Sequence, residues 1–342
     1  MLKACVIGAS GYTGAELARL VSAHPKLSLE GLFVSQNSQD ANACISQVHP
    51  YLATQVTGQL QPLHPDNLPH LAQQMDAIFL ATPHEASHDW MPSLTSGKAK
   101  VFDLSGAFRL KNQQVFSQFY GFEHNHPELL AQATYGLAEW YPHAIETADV
   151  IAVPGCYPTA SLTALKPLMA NQLIDAKVLP IINAVSGVSG AGRKASLASS
   201  FCEVSLQAYG VLNHRHQPEI AAYLGTEVIF TPHLGNYKRG ILATITVKVA
   251  NGVTAQTIKQ AYQDAYAHSP LVRVLDHFPK LQNVVNTPFC DLHWKLDENS
   301  GYLVIGSAID NLLKGAASQA IQCANLRFGY TSELGLLRKV NT

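Results

Sequence analysis

Lys3–Gly14, KACVIGASGYTG, is the stretch on which the fold turns. Ala4 to Ile7 is a short apolar run ending in two β-branched residues, as a buried strand would. Gly8-Ala9-Ser10-Gly11-Tyr12-Thr13-Gly14 follows, and Leu17, Leu20 and Val21 then recur at the spacing of one helix face. Strand, glycine turn and helix in this order open a βαβ unit of the dinucleotide-binding kind. The spacing is GxxGxxG, with no Cβ at Gly8, Gly11 or Gly14 to hold the backbone away from a pyrophosphate at the helix start. Gly8, Ser10, Gly11, Tyr12, Thr13 and Gly14 are therefore candidate cofactor contacts.

Working outward, Leu27–Val34 reads as the second strand, with His24-Pro25 stopping the helix before it. An NAD-type site would place a carboxylate on the ribose just after that strand. Here the residues are Ser35-Gln36-Asn37-Ser38, with no acid before Asp40, so Ser35 and Ser38 suit a ribose phosphate and NADP(H) is expected over NAD. Ala77–Thr82, Lys100–Leu104 and Asp149–Val153 are further short apolar strands, with His84–Leu94 a helix between the first two. That alternation predicts an α/β, Rossmann-like parallel sheet. Residues 41–70 read as irregular, with short strands as the alternative.

Past about residue 155 the pattern changes. Lys177–Val185, Glu227–Thr231, Gly240–Val249 and Tyr302–Ile309 read as strands, and in the third Ile241, Ala243, Ile245 and Val247 alternate with polar residues. One covered face predicts a mostly antiparallel sheet in an α+β second domain. Thr254–His268, with Thr254 as N-cap, and Gly315–Asn325 read as helices. The expected division is 1–153 with 315–342 for the dinucleotide domain and 154–314 for a catalytic and oligomerisation domain.

Composition limits the partners. The 342 residues are 47% hydrophobic and 14% charged, against a usual charged share of ~25%, and carry 23 basic and 24 acidic side chains. That balance excludes a disordered chain and a nucleic-acid surface, which needs clustered basic excess. No apolar run approaches membrane-spanning length and the amino terminus lacks a signal-peptide pattern, so a cytoplasmic protein away from membranes is expected. The six cysteines are scattered without a CxxC pair, which suits reduced thiols. No metal site is expected, because no third ligand stands at motif spacing.

Cys156 differs from the other five. Pro154-Gly155-Cys156-Tyr157-Pro158-Thr159 follows a strand and precedes an apolar helical run, Ala160–Met169. A thiol at a helix start is stabilised as thiolate, and the same backbone N–H groups can hold an oxyanion. Arg109, following a strand at the carboxyl edge of the sheet, suits phosphate or carboxylate; the bland alternative is a surface salt bridge. His214 and His216 are alternate residues ahead of Pro218-Glu219-Ile220, whereas His124 and His126 share the spacing with nothing around them. Arg193 follows a glycine-serine loop, and Lys238-Arg239 reads as a solvated pair.

These motifs carry a resemblance. Gly11–Leu17 (GYTGAEL), Asp103–Arg109 (DLSGAFR), Pro154–Thr159 (PGCYPT), Ser186–Arg193 (SGVSGAGR), His214–Ile220 (HRHQPEI) and Asp310–Ala316 (DNLLKGA) resemble N-acetyl-gamma-glutamyl-phosphate reductases of arginine biosynthesis, in the family's order over nearly the whole chain. Gly106-Ala107 departs from the Ala-Asp expected before the Phe-Arg pair. The resemblance implies NADPH-dependent reduction of an acyl phosphate to an aldehyde through a thioester on Cys156. It makes one of His214 and His216 the acid/base, with His216, nearer the helix start, preferred. It further implies Arg109, His214, Ser186 and Arg193 against the small-molecule acyl phosphate, and Ser189, Gly190 and Asn311 against the cofactor. It also implies a C-terminal segment, 315–342, returning to the first domain, and a homo-oligomer, tetramer or dimer. The competing readings are an aspartate-semialdehyde dehydrogenase, a carrier-linked aminoadipyl-phosphate reductase, a non-catalytic redox sensor with a switch thiol, and a cysteine hydrolase, which leaves the glycine turn unexplained.

Overall fold

Strand β1 (Leu2–Ile7) is an interior strand of a seven-stranded sheet in the computed structural model, which describes residues 1–337. Its companions are β2 (Leu27–Ser35), β3 (Leu60–Leu63), β4 (Ala77–Leu80), β5 (Lys100–Asp103), β6 (Thr134–Tyr135) and β7 (Val150–Ala152), in the order β3-β2-β1-β4-β5-β7-β6. Every pairing is parallel. This is why the strands are continuous apolar runs: Ala4–Ile7 and Ala77–Leu80 are buried throughout, as strands covered on both faces must be. Strand β1 pairs with β2 on one side and β4 on the other, so the chain reverses its direction of travel across the sheet at Ile7 and Leu80. Ligands of such folds bind beyond the carboxyl ends of the strands at this point.

Helix α1 (Tyr12–Ala23) buries Leu17, Leu20 and Val21 and ends at His24, ahead of Pro25. Helix α2 (His84–Leu94) follows β4. The segment 41–70 is more regular than its composition suggests. It holds helical turns at Ile45–Val48 and Pro50–Leu52, and β3 lies at the sheet edge, where the missing N–H of Pro62 is tolerated.

A second seven-stranded sheet holds β8 (Ile181–Gly187), β9 (Gln207–Ala208), β10 (Ile229–Gly235), β11 (Ile241–Lys248), β12 (Val272–Val274), β13 (Cys290–Asp297) and β14 (Tyr302–Ile309), ordered β12-β13-β14-β11-β8-β10-β9. The pairs β8–β11, β11–β14, β13–β14 and β9–β10 are antiparallel, while β8–β10 and β12–β13 are parallel. In β11 the alternation is realised: Ile241, Ala243, Ile245 and Val247 are buried and Thr244 is exposed. Helix α3 (Cys156–Ala170), α4 (His216–Leu224) and α5 (Ala255–Tyr266) belong to this half. Helix α3 is apolar on nearly all sides because it is enclosed. Its backbone accepts from Ser307 at Ala160, from Tyr262 at Ala164 and from Tyr266 at Thr163.

Several boundaries differ from the sequence expectation: β8 starts at Ile181, not Lys177, and β10 runs on to Gly235, past Thr231. Helix α3 begins at Cys156, not at Ala160, since Pro158 falls among the first residues, whose N–H groups have no helical partner anyway. Instead of one helix from Gly315 there is a π-turn, Leu313–Ala317, followed by α6 (Ser318–Arg327). The chain divides into Met1–Gly155 with the segment from Ala316, and Cys156–Gly315. Helix α6 belongs to the first unit, where Gln319 donates to the Gly136 carbonyl. Residues 338–342 of the expected returning segment lie outside the described residues.

Candidate active site

In the first unit, the three glycines of the turn have different reasons to be glycine. Gly8 has φ +88°, and a Cβ there would lie 2.2 Å from the Ala81 carbonyl oxygen. A Cβ on Gly14 would lie 2.2 Å from the Gly8 oxygen. Both are required by the packing of the turn itself. Gly11 is different: a Cβ would meet only the Gly8 oxygen, at 3.5 Å. Gly11 is also the N-cap of α1 and offers no side-chain cap to the helix start. That open, uncapped start fits a pyrophosphate, whose charge the helix N-terminus favours.

His49, which sequence reasoning missed, steadies this turn. It is buried, its Nε2–H donates to the Ser10 carbonyl at 2.9 Å, and its ring lies edge-on to Tyr12 at 6.4 Å. Nothing in the irregular sequence around it signals this. Ser35 ends β2 and Ser38 lies in the turn after it, where the Ser38 N–H donates to the Ser35 carbonyl at 2.9 Å. Ser35 is exposed, and residues 35–38 hold no carboxylate, so the residues present fit a phosphorylated ribose.

Arg109 is buried, so the surface salt bridge is ruled out. Its Nε donates to the Val153 carbonyl at 2.8 Å and its Nη2 to the Leu104 carbonyl at 2.7 Å, tying the loop after β5 to the end of β7. Asp103 lies beneath it. Burial raises that carboxyl's pKa, countered by the Ser105 N–H and hydroxyl at 2.9 Å and by the Arg109 charge. The Gly106 departure has a physical partner: a Cβ at that position would lie 2.1 Å from the Tyr120 hydroxyl. Tyr120 fills the space that a side chain would take. His124 and His126 are not isolated either. They cluster with His88, at ring separations of 4.8 and 4.6 Å, and His124 packs on Phe108 at 4.9 Å. Burial, then the neighbouring His88 and His126, holds the His124 pKa down at about 4. Among the described residues no group of histidine, cysteine or acid side chains is arranged to hold a metal.

In the second unit, Cys156 is the first residue of α3 and is partly exposed. Tyr157 beside it is buried, donates to the His233 carbonyl at 3.0 Å, and accepts from Tyr209 at 3.3 Å. The Tyr157 ring lies 5.7 Å from His214 and 5.9 Å from His216, which are 4.8 Å from each other. The structure thus gathers Cys156, Tyr157, Tyr209, His214 and His216, although Tyr209 carried no recognisable signal. The two histidines are not equivalent. His216 is the first residue of α4, and its backbone N–H donates to His214 Nδ1 at 3.1 Å. That bond needs an unprotonated Nδ1, and burial together with the charge of Arg215 pushes the His214 pKa down to about 4.

The loop after β8 is pinned by backbone bonds from Gly187, Val188 and Ser189 to the carbonyls of Gly240, Tyr237 and Lys238. Asn311 Nδ2 donates to Ser189 Oγ at 3.0 Å, and its Oδ1 accepts the Gly240 N–H at 2.7 Å. A Cβ on Gly190 would lie 3.1 Å from Ser186 Oγ and 3.8 Å from Asn311 Nδ2. Ser186, Ser189, Gly190 and Asn311 are therefore together, whereas Arg193 is exposed further along. Of Lys238-Arg239, Lys238 is exposed as read, but Arg239 is not a solvated side chain. Arg239 Nε donates to the fully buried Asp310 at 2.5 Å, a partner too distant in sequence to be read from the motif.

A parallel dinucleotide sheet joined to a mixed sheet, with a helix-start cysteine followed by a tyrosine packed on two histidines, is matched by the semialdehyde dehydrogenases. Residues 3–148 match the family described as semialdehyde dehydrogenase, NAD binding domain, and residues 156–311 its dimerisation domain. Aspartate semialdehyde dehydrogenase II of Vibrio cholerae, solved with ASA, superposes with a TM-score of 0.70 at 16% identity, over 96% of this chain and 98% of that one. The enzyme of Candida albicans, solved with NADP, gives 0.68 at 15% identity, over 95% and 98%. At such identities the likeness shows the fold. Much closer sequences narrow the class. The N-acetyl-gamma-glutamyl-phosphate reductase of Pseudoalteromonas atlantica is 66% identical over 341 residues, covering 100% of both chains. Those of Alteromonas mediterranea and Pasteurella multocida are 64% and 62% identical, each over 98% of this chain and 100% of the relative. The chain belongs to the N-acetyl-gamma-glutamyl-phosphate reductase family. Among the described residues no helix is long and apolar enough to cross a membrane.

Proposed function

We propose that this protein reduces N-acetyl-L-glutamyl 5-phosphate to N-acetyl-L-glutamate 5-semialdehyde and phosphate, with NADPH as reductant, in arginine biosynthesis. The observation that carries the reading is Cys156 at the first position of α3 with the His214–His216 pair packed around Tyr157, in a chain that matches its named relatives from end to end. Those full-length relatives favour this substrate over aspartyl or aminoadipyl phosphates.

Cys156 attacks the acyl carbonyl as thiolate, the carbon–phosphate oxygen bond breaks, and phosphate leaves a thioester on the sulfur. Backbone N–H groups at the start of α3 stabilise the thiolate and the oxyanion of this step. When bound, the dinucleotide supplies the hydride that reduces the thioester. Gly8–Gly14 with Ser35 and Ser38 would hold its phosphates and ribose, with Ser189, Gly190 and Asn311 as further proposed cofactor contacts. His216 gives a proton to the oxygen of the reduced carbon and takes it back as the carbon–sulfur bond breaks, releasing aldehyde and thiolate. His214, held neutral, orients His216 through the backbone bond to its N–H and lines the pocket with Ser186 and Arg193. Arg109 binds the phosphate, its orientation set by the carbonyls of Leu104 and Val153. We infer a cytoplasmic homo-oligomer built through the second domain.

The test is Cys156→Ser, assayed with N-acetylglutamate semialdehyde, phosphate and NADP in the oxidative direction. Turnover is expected to fall by ~10³-fold or more while NADP binding persists. Near-normal turnover in the variant would rule out the covalent route, and oxidation without a phosphate requirement would rule out the acyl-phosphate product.

A further inference from the structure

Gly315 stands in the π-turn Leu313–Ala317 without a positive φ, so the backbone does not require a glycine there. In a helical turn glycine is a poorer choice than alanine. Space supplies the missing reason. A Cβ on Gly315 would lie 2.8 Å from Cys156 Cβ and 3.2 Å from Cys156 Cα, with Ile309 Cδ1 also at 3.2 Å. Two of these three atoms belong to the residue that carries the thiol.

The turn has little freedom to retreat. Asp310, fully buried, accepts from the N–H groups of Leu312 at 2.9 Å and Leu313 at 3.0 Å through Oδ1. Its Oδ2 accepts from the Asn286 N–H at 2.6 Å and from Arg239 Nε at 2.5 Å. The Gly315 N–H closes the turn on the Asp310 carbonyl at 2.9 Å. Departures of this π-type are common at functional sites. We propose that Gly315, seated by the Asp310–Arg239 pair, is a positioning residue for Cys156: its bare Cα is the wall against which the thiol-bearing carbon rests. The proposal rests on the reading of Cys156 as the nucleophile. A normal carbon–carbon contact is ~3.5–4.0 Å, so alanine at 315 must displace the cysteine by several tenths of an ångström. Misplacements approaching 1 Å cost as much as ~10²-fold in rate.

The experiment is alkylation of the full-length protein by iodoacetamide across pH, read cysteine by cysteine by mass spectrometry, beside steady-state kinetics. In Gly315→Ala, alkylation of Cys156 should slow or shift its pH midpoint, and kcat should fall ~10- to 10²-fold with the KM for NADP unchanged. The exposed Cys202 should keep its rate, and the buried Cys5, Cys290 and Cys323 should stay protected, reporting an intact fold. Adding Ile309→Val removes the opposing Cδ1 and should recover part of both losses. Wild-type alkylation and kcat in Gly315→Ala would overturn the positioning role while leaving the nucleophile intact. Full turnover in Cys156→Ser would instead overturn the nucleophile reading. If Gly315→Ala exposes the buried cysteines, Asp310→Asn is scored in its place: a selective loss at Cys156 supports the proposal, and a wild-type Cys156 rate overturns it.

Discussion

Replacing His214 and His216 in turn by asparagine separates the proton shuttle from its support. With its pKa held at about 4 by burial and by Arg215, His214 carries a proton in only ~1 molecule in 10³ at pH 7. As a general acid it would forfeit about that factor before any chemistry began. What it contributes in the structure is an acceptor for the His216 N–H at 3.1 Å, a neutral bond worth ~0.5–1.5 kcal/mol. An asparagine carbonyl can accept the same N–H, so His214→Asn should reduce kcat by no more than ~10-fold and act mainly on KM. His216→Asn removes the shuttle itself and should cost ~10²–10⁴ in kcat. The assay is steady-state kinetics in both directions from pH 5 to 9, with phosphate varied. Wild-type and His214→Asn should share one pH profile above pH 5, because His214 is already neutral there. If His214→Asn abolishes turnover, or if His216→Asn shifts only KM, the assignment is reversed and the burial argument fails.

Ser35→Asp should weaken NADP by repelling its ribose phosphate and leave NAD less affected; an unchanged NADP KM would place the phosphate elsewhere. Arg109→Ala should raise the KM for phosphate by a factor equivalent to ~1.5–3 kcal/mol, and Arg109→Lys should restore only part, since lysine lacks the planar fork. Equal phosphate dependence in all three proteins would move the anion site to the loop from Ser186. Acid should destabilise the fold through His124 and His214, both held near pKa 4 in the native state against about 6.5 when free. Because the native values are depressed, their stabilising effect is complete above pH 6.5 and is lost as the pH falls toward 4, by ~1 kcal/mol per pH unit each. Thermal melts at pH 7, 5.5 and 4.5 check this, and a Tm that holds constant while His124→Phe also behaves as wild type would refute it.

Local chemistry explains what could be read in advance. Gly8 and Gly14 announce a turn because only glycine fits there, and α1 is visible because Leu17, Leu20 and Val21 make one face. Cys156 is visible because a strand, a short turn and Pro158 frame it. Features set by distant partners were not legible. Arg239 and Asp310 are 71 residues apart, His49 reaches Ser10 across 39, and neither separation has a sequence period. Strands β12 and β13 went unread as well, since polar and charged residues interrupt Cys290–Asp297 and the parallel partner Val272–Val274 is only three residues long. Gly106 is the instructive case. It departs from the family pattern, and the space a side chain would need there is taken by the hydroxyl of Tyr120, fourteen residues on, which no local spacing announces.

On the proposed mechanism, the low charge content is itself part of how the site works. The proposed chemistry handles three anions: a dinucleotide pyrophosphate, a thiolate with its oxyanion, and a leaving phosphate. With only 14% charged residues, the chain assigns the first two to helix starts, α1 after Gly11 and α3 at Cys156, where aligned peptide dipoles do the work of cations. Neither helix places an acid in its first turn to compete. For the third anion the proposed partner is a guanidinium, but a buried one, held by the Leu104 and Val153 carbonyls with its charge acting on Asp103. A buried cation needs such company, since an unpaired one would be too costly to desolvate. The same company fixes its direction. Fixed dipoles and a fixed cation need no reorganisation as charge moves from acyl oxygen to phosphate, the condition under which electrostatic stabilisation of a transition state is most effective.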